Sequence, residues 1–186
     1  MDGRKTEALK VAHQLTGTIT EEEVRKDAWK ELYLPTPLWS MIRFGQWDDL
    51  LREPPPPKPL HVQQGMWRLG RGMALAASGR MPGAEGEHVV LVGLAKRFGR
   101  DRTREEKTER TLLKIAERLL AGELATHRRQ YDEAIKSLTD AVKLEEELPY
   151  TEPPFWPIPI RHYLGAALLK AAGTDGPKGR SSPSPD

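Results

Sequence analysis

A chain of 186 residues is long enough for one domain with a real core, or for about three or four helix hairpins. Hydrophobic residues supply 38% and charged residues 30%, a balance that suits much solvated surface. The formal charge of +2 gives no electrostatic reason to expect nucleic acid or an anionic membrane as partner. The absence of cysteine excludes disulfides, thiolate metal sites and cysteine nucleophiles.

The start, Met1 to Glu7, carries charge with no apolar segment behind it and does not read as a secretory signal. No run approaches the roughly 20 apolar residues of a membrane helix. The expected compartment is the cytoplasm, with the nucleus left open.

The first helical pattern places Ala8, Leu9, Val11, Ala12 and Leu15 at helical spacing. Thr18 to Thr20 break it, and Thr20 followed by Glu21, Glu22 and Glu23 predicts an N-cap with first-turn acids. A second helix is expected over 21–33, ended by Pro35 and Pro37. These residues, 1–34, form an N-terminal helical pair ahead of a larger domain over 35–172.

A short helix is expected over 38–44, leading into Gly45-Gln46-Trp47. Pro54 to Pro57 force an extended segment, read as a stiff connector between helices with an SH3 or WW ligand as the alternative. Helices follow over 61–78, with Gly79 as stop, and over 82–96, with Pro82 in the first turn. Residues 98–106 read as a loop, and helices over 107–128 and 131–148 come next. Pro149, Pro153, Pro154, Pro157 and Pro159 separate these from a last helix over 161–172. The tail, 173–186, is rich in Gly, Pro and Ser, and its composition predicts disorder.

The hairpins align on their small residues. Gly72 precedes Ala84 by 12 positions, and Gly122 precedes Ala134 by 12. Gly79-Arg80-Met81 and Arg129-Gln130-Tyr131 lie between them, and Gly45-Gln46-Trp47 fills the same turn slots. The stretch Leu164 to Leu169, with Gly165, repeats the small-residue part of the first helix. A small residue at a crossing lets two helix backbones approach closely, and one hairpin cannot bury its apolar face alone.

On these residues the chain resembles the tetratricopeptide repeat (TPR) family, whose unit is about 34 residues. The best copy spans 115–148, with Gly122, Tyr131, Ala134, Leu138 and Ala141 in the family's small and apolar slots. A second copy begins near Gly65, with Gly72, Gly79 and Ala84 in place and His88 where the family puts a large apolar residue. The resemblance implies an all-α, right-handed stack of antiparallel helix hairpins, an α-solenoid, with insertions near 98–106 and 149–159. The last copy lacks its second helix, which suggests a fragment or truncated isoform of a longer protein.

The same resemblance implies a non-catalytic scaffold that binds a peptide or helix in a concave groove lined by the first helix of each hairpin. Carrying those slots over gives Leu69, Met73 and Ala76, then Leu119, Glu123, Thr126 and His127, and last His162, Ala166, Leu169 and Lys170. The family's clamp for a terminal carboxylate is missing, which favours an apolar helix or a neighbouring repeat as occupant. Self-association through unfinished terminal repeats is a second possible use. The alternative class is an RNA-binding helical repeat.

The five histidines, His13, His61, His88, His127 and His162, show no pair at ligand spacing, so no metal or other cofactor is expected. No phosphate loop, dinucleotide fingerprint or nucleophile elbow occurs, and catalysis is not expected. Between Lys96 and Arg110, seven basic residues interleave with Asp101, Glu105, Glu106 and Glu109, the pattern of a solvated face. Phe155-Trp156 reads as a staple joining the last helix to the helix before it, with partner anchoring as the alternative.

Overall fold

Thr20 and Asp27 divide the first part of the chain. In a computed structural model that describes residues 2–58, 60–97 and 103–174, α1 (Asp2–Gly17) is followed by α2 (Glu21–Lys26). Thr20 opens α2 with a full capping box: its hydroxyl accepts from the Glu23 N–H at 3.2 Å, and the Glu23 carboxylate accepts from the Thr20 N–H at 2.9 Å. The helix expected to run unbroken over 21–33 stops at Asp27. That residue's carboxylate accepts from the Trp29 N–H and starts a separate 3-10 helix, Ala28–Tyr33. An aspartate that bonds nearby backbone competes with the helical ladder, and here it wins.

Nine α-helices and no strand occur among the described residues, so the chain is all-α. After the 3-10 helix come α3 (Thr36–Phe44), α4 (Trp47–Arg52), α5 (His61–Ala77) and α6 (Met81–Arg97). The last three are α7 (Arg104–His127), α8 (Tyr131–Glu146) and α9 (Ile160–Thr174). Pro37 sits in the first turn of α3, where a missing N–H costs nothing, so it opens a helix instead of closing one. Thr103 caps α7 through the Glu106 N–H, which starts that helix three residues earlier than the sequence implied. Of the expected disordered tail, Gly173 and Thr174 belong to α9, and 175–186 lie outside the described residues.

Three turns repeat one geometry. Gly45, Gly79 and Arg129 have positive φ, at 64°, 75° and 61°. In each turn that residue's N–H donates to the carbonyl three residues back (Ile42, Ala76 and Thr126). The next N–H donates to the carbonyl five residues back (Met41, Leu75 and Ala125). This pair of bonds ends a helix in a left-handed residue and aims the chain back along it. Gly45 and Gly79 carry no Cβ penalty there, but Arg129 does. Arg129→Gly is therefore expected to stabilise the fold by about 1 kcal/mol, read as a rise of about 3 °C in Tm. An unchanged or lower Tm would mean that the left-handed turn is not formed.

The helices pack against near neighbours. Helix α5 packs on α4 and α6, α7 on α6 and α8, and α9 on α8, while α3, α5, α7 and α9 touch in succession along one line. One cluster of buried side chains runs through all of them and includes Leu50, Leu69, Leu91, Leu113, Ile115, Leu120, Leu138 and Ile160. The N-terminal residues share it: Leu32 is buried there, α1 packs on α3, and the 3-10 helix touches α5 and α7. The proline run after α4 and Trp67 border one depression, and the Trp67 indole N–H donates to the Glu53 carbonyl at 3.0 Å.

Two helix starts are capped by carboxylates from elsewhere in the chain. Glu31, on the 3-10 helix, accepts from the N–H groups of Val62 (2.7 Å) and Gln63 (3.3 Å) at the start of α5. Glu145, on α8, accepts from the Ile160 N–H at the start of α9 at 3.2 Å. Each supplies an acceptor and a negative charge where a helix presents free donors. No described helix is long and apolar enough to cross a membrane.

Candidate functional site

The residues expected to line a groove divide by burial. Leu69, Met73 and Leu119 are 0%, 5% and 1% exposed and belong to the core, where they hold α5 and α7 together. Glu123 is half-buried, and His127, His162, Ala166 and Lys170 reach the surface. The glycines expected to mark repeats differ in what they face. A Cβ on Gly122 would stand 2.5 Å from Leu138 Cγ on α8, the paired helix of its own hairpin. On Gly72 it would stand 2.7 Å from Leu120 Cδ2 on α7, so that glycine serves the contact between hairpins. Gly165 has nothing within 4 Å, whereas Ala84 and Ala134 are fully buried. Tyr131 is half-buried at the start of α8.

Between α7 and α9 four polar groups act on one another. Burial raises the Glu123 carboxyl above its ordinary range, and Lys170 partly offsets this. Burial lowers His127, and the positive charge of Lys170 lowers it further, so the imidazole is neutral at physiological pH. Tyr163 is pushed up to about 12 by burial and by Glu123. With Ala166 beside Lys170 on one turn of α9, this is a small-residue surface bordered by one acid, one cation and two neutral hydrogen-bonding groups. Among the described residues no group of three or more His, Asp and Glu is placed to hold a metal.

A second charged group lies at the other side of α5. Glu87 on α6 receives Arg68 at 2.7 Å and Arg71 at 3.1 Å, and Arg71 also donates to the Leu51 carbonyl at 3.1 Å. Both guanidiniums lie over the Trp67 ring, at 4.7 and 4.8 Å from its centroid. Glu87 holds both arginines and Arg71 reaches the backbone of α4, which makes the group a tie between α4, α5 and α6.

The Phe155-Trp156 staple forms, but not to the expected helix. Phe155 stacks on Trp29 with ring centroids 5.2 Å apart and sits tilted against Tyr33 at 6.3 Å. Trp156 meets Trp39 edge-on at 4.6 Å. The proline-rich loop thus reaches back to the 3-10 helix and α3, where Trp29, Tyr33 and Trp39 offer aromatic faces.

Where the loop crosses, two depressions adjoin. One, of about 370 Å3, has Trp29, Tyr33 and Phe155 as walls and Arg104 at its rim. The other, of about 280 Å3, is bordered by Glu145 and Glu152. Pro149, Tyr150, Thr151 and Phe155 line both. Tyr150 is 87% exposed, and the Thr151 hydroxyl is buried with no hydrogen-bond partner among the described residues. The sequence reading missed Trp29, Tyr33, Arg104, Tyr150 and Thr151. The one available signal was the density of aromatic and proline residues on either side of the core.

Close to this region the acids Glu105, Glu106, Glu109 and Glu31 crowd one another. Burial, then Glu31, Glu106 and Glu105, push Glu109 up to about 7. A carboxyl raised in the folded state favours folding below its unfolded value near 4.5, and that contribution is lost as pH rises through about 7. Solvent still reaches Glu109 and screens the effect to about 1 kcal/mol. Glu109→Gln is expected to flatten the pH dependence of Tm between those values and to raise Tm at pH 8. A pH profile identical to that of the parent chain would show that Glu109 is not strained.

A comparison with protein-family models, with curated proteins and with solved structures finds no match to this chain.

Proposed function

We propose that the chain is a non-catalytic interaction scaffold built of tetratricopeptide-like hairpins, holding a peptide or helix of another protein on the face shared by α7 and α9. The observation that carries this reading is the thrice-repeated turn at Gly45, Gly79 and Arg129, each joining a helix to its antiparallel partner. Successive contacts of α3, α5, α7 and α9 support it, since a stack of hairpins brings its first helices side by side. Of the expected groove residues, Glu123, His127, His162, Ala166, Leu169 and Lys170 remain accessible.

The test is selection of peptides from a displayed library on the purified chain, followed by mapping of a selected peptide by amide chemical shifts. Shifts confined to Glu123, His127, His162, Ala166 and Lys170, abolished by Lys170→Glu, are the expected result. Selected peptides that map elsewhere would refute the groove. Tight binding of homopolymeric RNA with a steep salt dependence would instead favour the RNA-binding repeat.

A further inference from the structure

Helix α6 gives its charges to its neighbours and its apolar residues to solvent. Between Pro82 and Ala95 the titratable side chains are Glu85, Glu87 and His88. Each is tied to another helix: Glu87 to Arg68 and Arg71 of α5, His88 to Glu117 of α7 at 3.1 Å, and Glu85 to Arg128 at the end of α7. The side left to solvent is Pro82, Gly86, Val89, Val90 and Gly93, with Val89 70% and Val90 42% exposed. The outer face of a surface helix ordinarily carries polar and charged residues, and a contiguous apolar one marks a contact.

The two glycines show how close that contact can come. Glycine weakens a helix interior, and what it permits in return is close approach of another element. Elsewhere in the chain that space is used: a Cβ on Gly70, Gly72 or Gly122 would stand 2.8 Å or less from a leucine of an adjacent helix. On Gly86 or Gly93 it would meet nothing within 4 Å.

The face is also symmetric about its middle, which a partner of different sequence would not require. Gly86 and Gly93 lie equally far from the Val89–Val90 pair. An antiparallel copy of α6 therefore sets Gly86 against Gly93 of the second copy and each valine against its own counterpart, on either side of the glycine line. Glu85 and Lys96 are 11 residues apart, about three turns, and so lie on one flank. Antiparallel pairing brings Lys96, which holds no ion pair among the described residues, toward Glu85 of the second copy. Arg128 engages one oxygen of that carboxylate and leaves the other for the lysine. Such an exposed pair adds register more than strength.

We propose that a second copy of this chain docks on this face, α6 against α6 and antiparallel, to form a twofold dimer. The glycines let the two backbones close in, the valines leave water, and Glu85 with Lys96 sets the register. One helix pair makes a small interface, so the dissociation constant is expected to be on the order of tens of micromolar. The face shared by α7 and α9 takes no part, so peptide binding there and dimerisation succeed or fail separately.

The experiment is sedimentation equilibrium of the full chain from low micromolar to near-millimolar concentration. The mass is expected to rise from that of one chain toward that of two. Val89→Lys and Gly93→Leu should each weaken association roughly tenfold or more, the first by placing a charge in the contact and the second by holding the helices apart. Val89 is exposed and Gly93 faces open space, so the single chain keeps its fold, checked by an undiminished Tm. Oxidation reads the register, because the chain has no cysteine of its own. Val89→Cys should join two chains through a disulfide, since that valine meets its counterpart across the axis, whereas Val11→Cys, at a position on α1 that is also exposed, should not. A single-chain mass at every concentration overturns the proposal. So does a dimer that both substitutions leave unchanged, or one that cross-links through Val11→Cys and not through Val89→Cys.

Discussion

Gly122→Leu is expected to destabilise the chain by about 3 kcal/mol or more, a fall in Tm of about 10 °C, with aggregation of the unfolded fraction. Even a single Cβ at this position would lie 2.5 Å from Leu138 Cγ and 2.8 Å from its Cδ2. Leu138 has no room to withdraw, because it is fully buried between Ala134 and Ala141, which are buried as well. Helices α7 and α8 must separate or shift in register, and either movement strips apolar contact from the core. Thinning the opposing side chain distinguishes this cause from a general dislike of leucine. Leu138→Ala alone should cost about 2–4 kcal/mol by leaving a cavity. Combined with Gly122→Leu it should cost less than the sum of the two, because the new side chain fills that cavity. Additive losses in thermal melts would show that the two residues do not meet.

Glu87→Ala is expected to cost about 2–3 kcal/mol. The carboxylate is the shared partner of Arg68 and Arg71, whose side chains are only 32% and 25% exposed against 9% for Glu87 itself. Its removal leaves two cations partly withdrawn from water with no counter-charge, and their mutual repulsion is no longer masked. The arginines keep some solvent, which holds the loss below that of a fully buried pair. Their contact with Trp67 and the Arg71 bond to the Leu51 carbonyl persist. Replacing the trio together by apolar residues of similar volume, Arg68→Met, Arg71→Met and Glu87→Leu, should recover much of the loss, since no charge then remains to be left unpaired. Denaturant midpoints at low and high salt check this: added salt should soften Glu87→Ala and leave the apolar triple variant unmoved.

Helices were legible wherever the code is local. The periodic apolar positions from His61 to Ala77 and from Arg104 to His127 give helices within a few residues of those expected, and the Thr20 cap forms as its spacing predicts. Turn slots were legible by alignment, even at Arg129, where no glycine marks the left-handed residue. Failures came where a residue answers to something distant. Asp27 splits a continuous helical pattern because its side chain bonds the backbone of the segment it opens. Glu31 and Glu145 cap helices that begin 30 and 15 residues further along the chain, and nothing local marks them for it. Leu69, Met73 and Leu119 have the spacing of a groove lining, yet they lie in the core, since the contact of α5 with α7 covers apolar side chains on their shared line. The aromatic pocket was illegible for the same reason: Trp29 and Phe155 lie far apart in sequence and become neighbours only in the folded chain.

That last contact bears on how the molecule comes apart. In an array whose helices touch only near neighbours, end units can melt singly and stability decays outward from the middle. The rings of Trp29 and Phe155 stack across most of the chain's length, and Trp39 meets Trp156 in the same way. Release of the 3-10 helix and α3 therefore uncovers the loop ahead of α9, and release of that loop uncovers them. The same closure delays assembly, because residues so far apart must find each other before the last helices gain their full support.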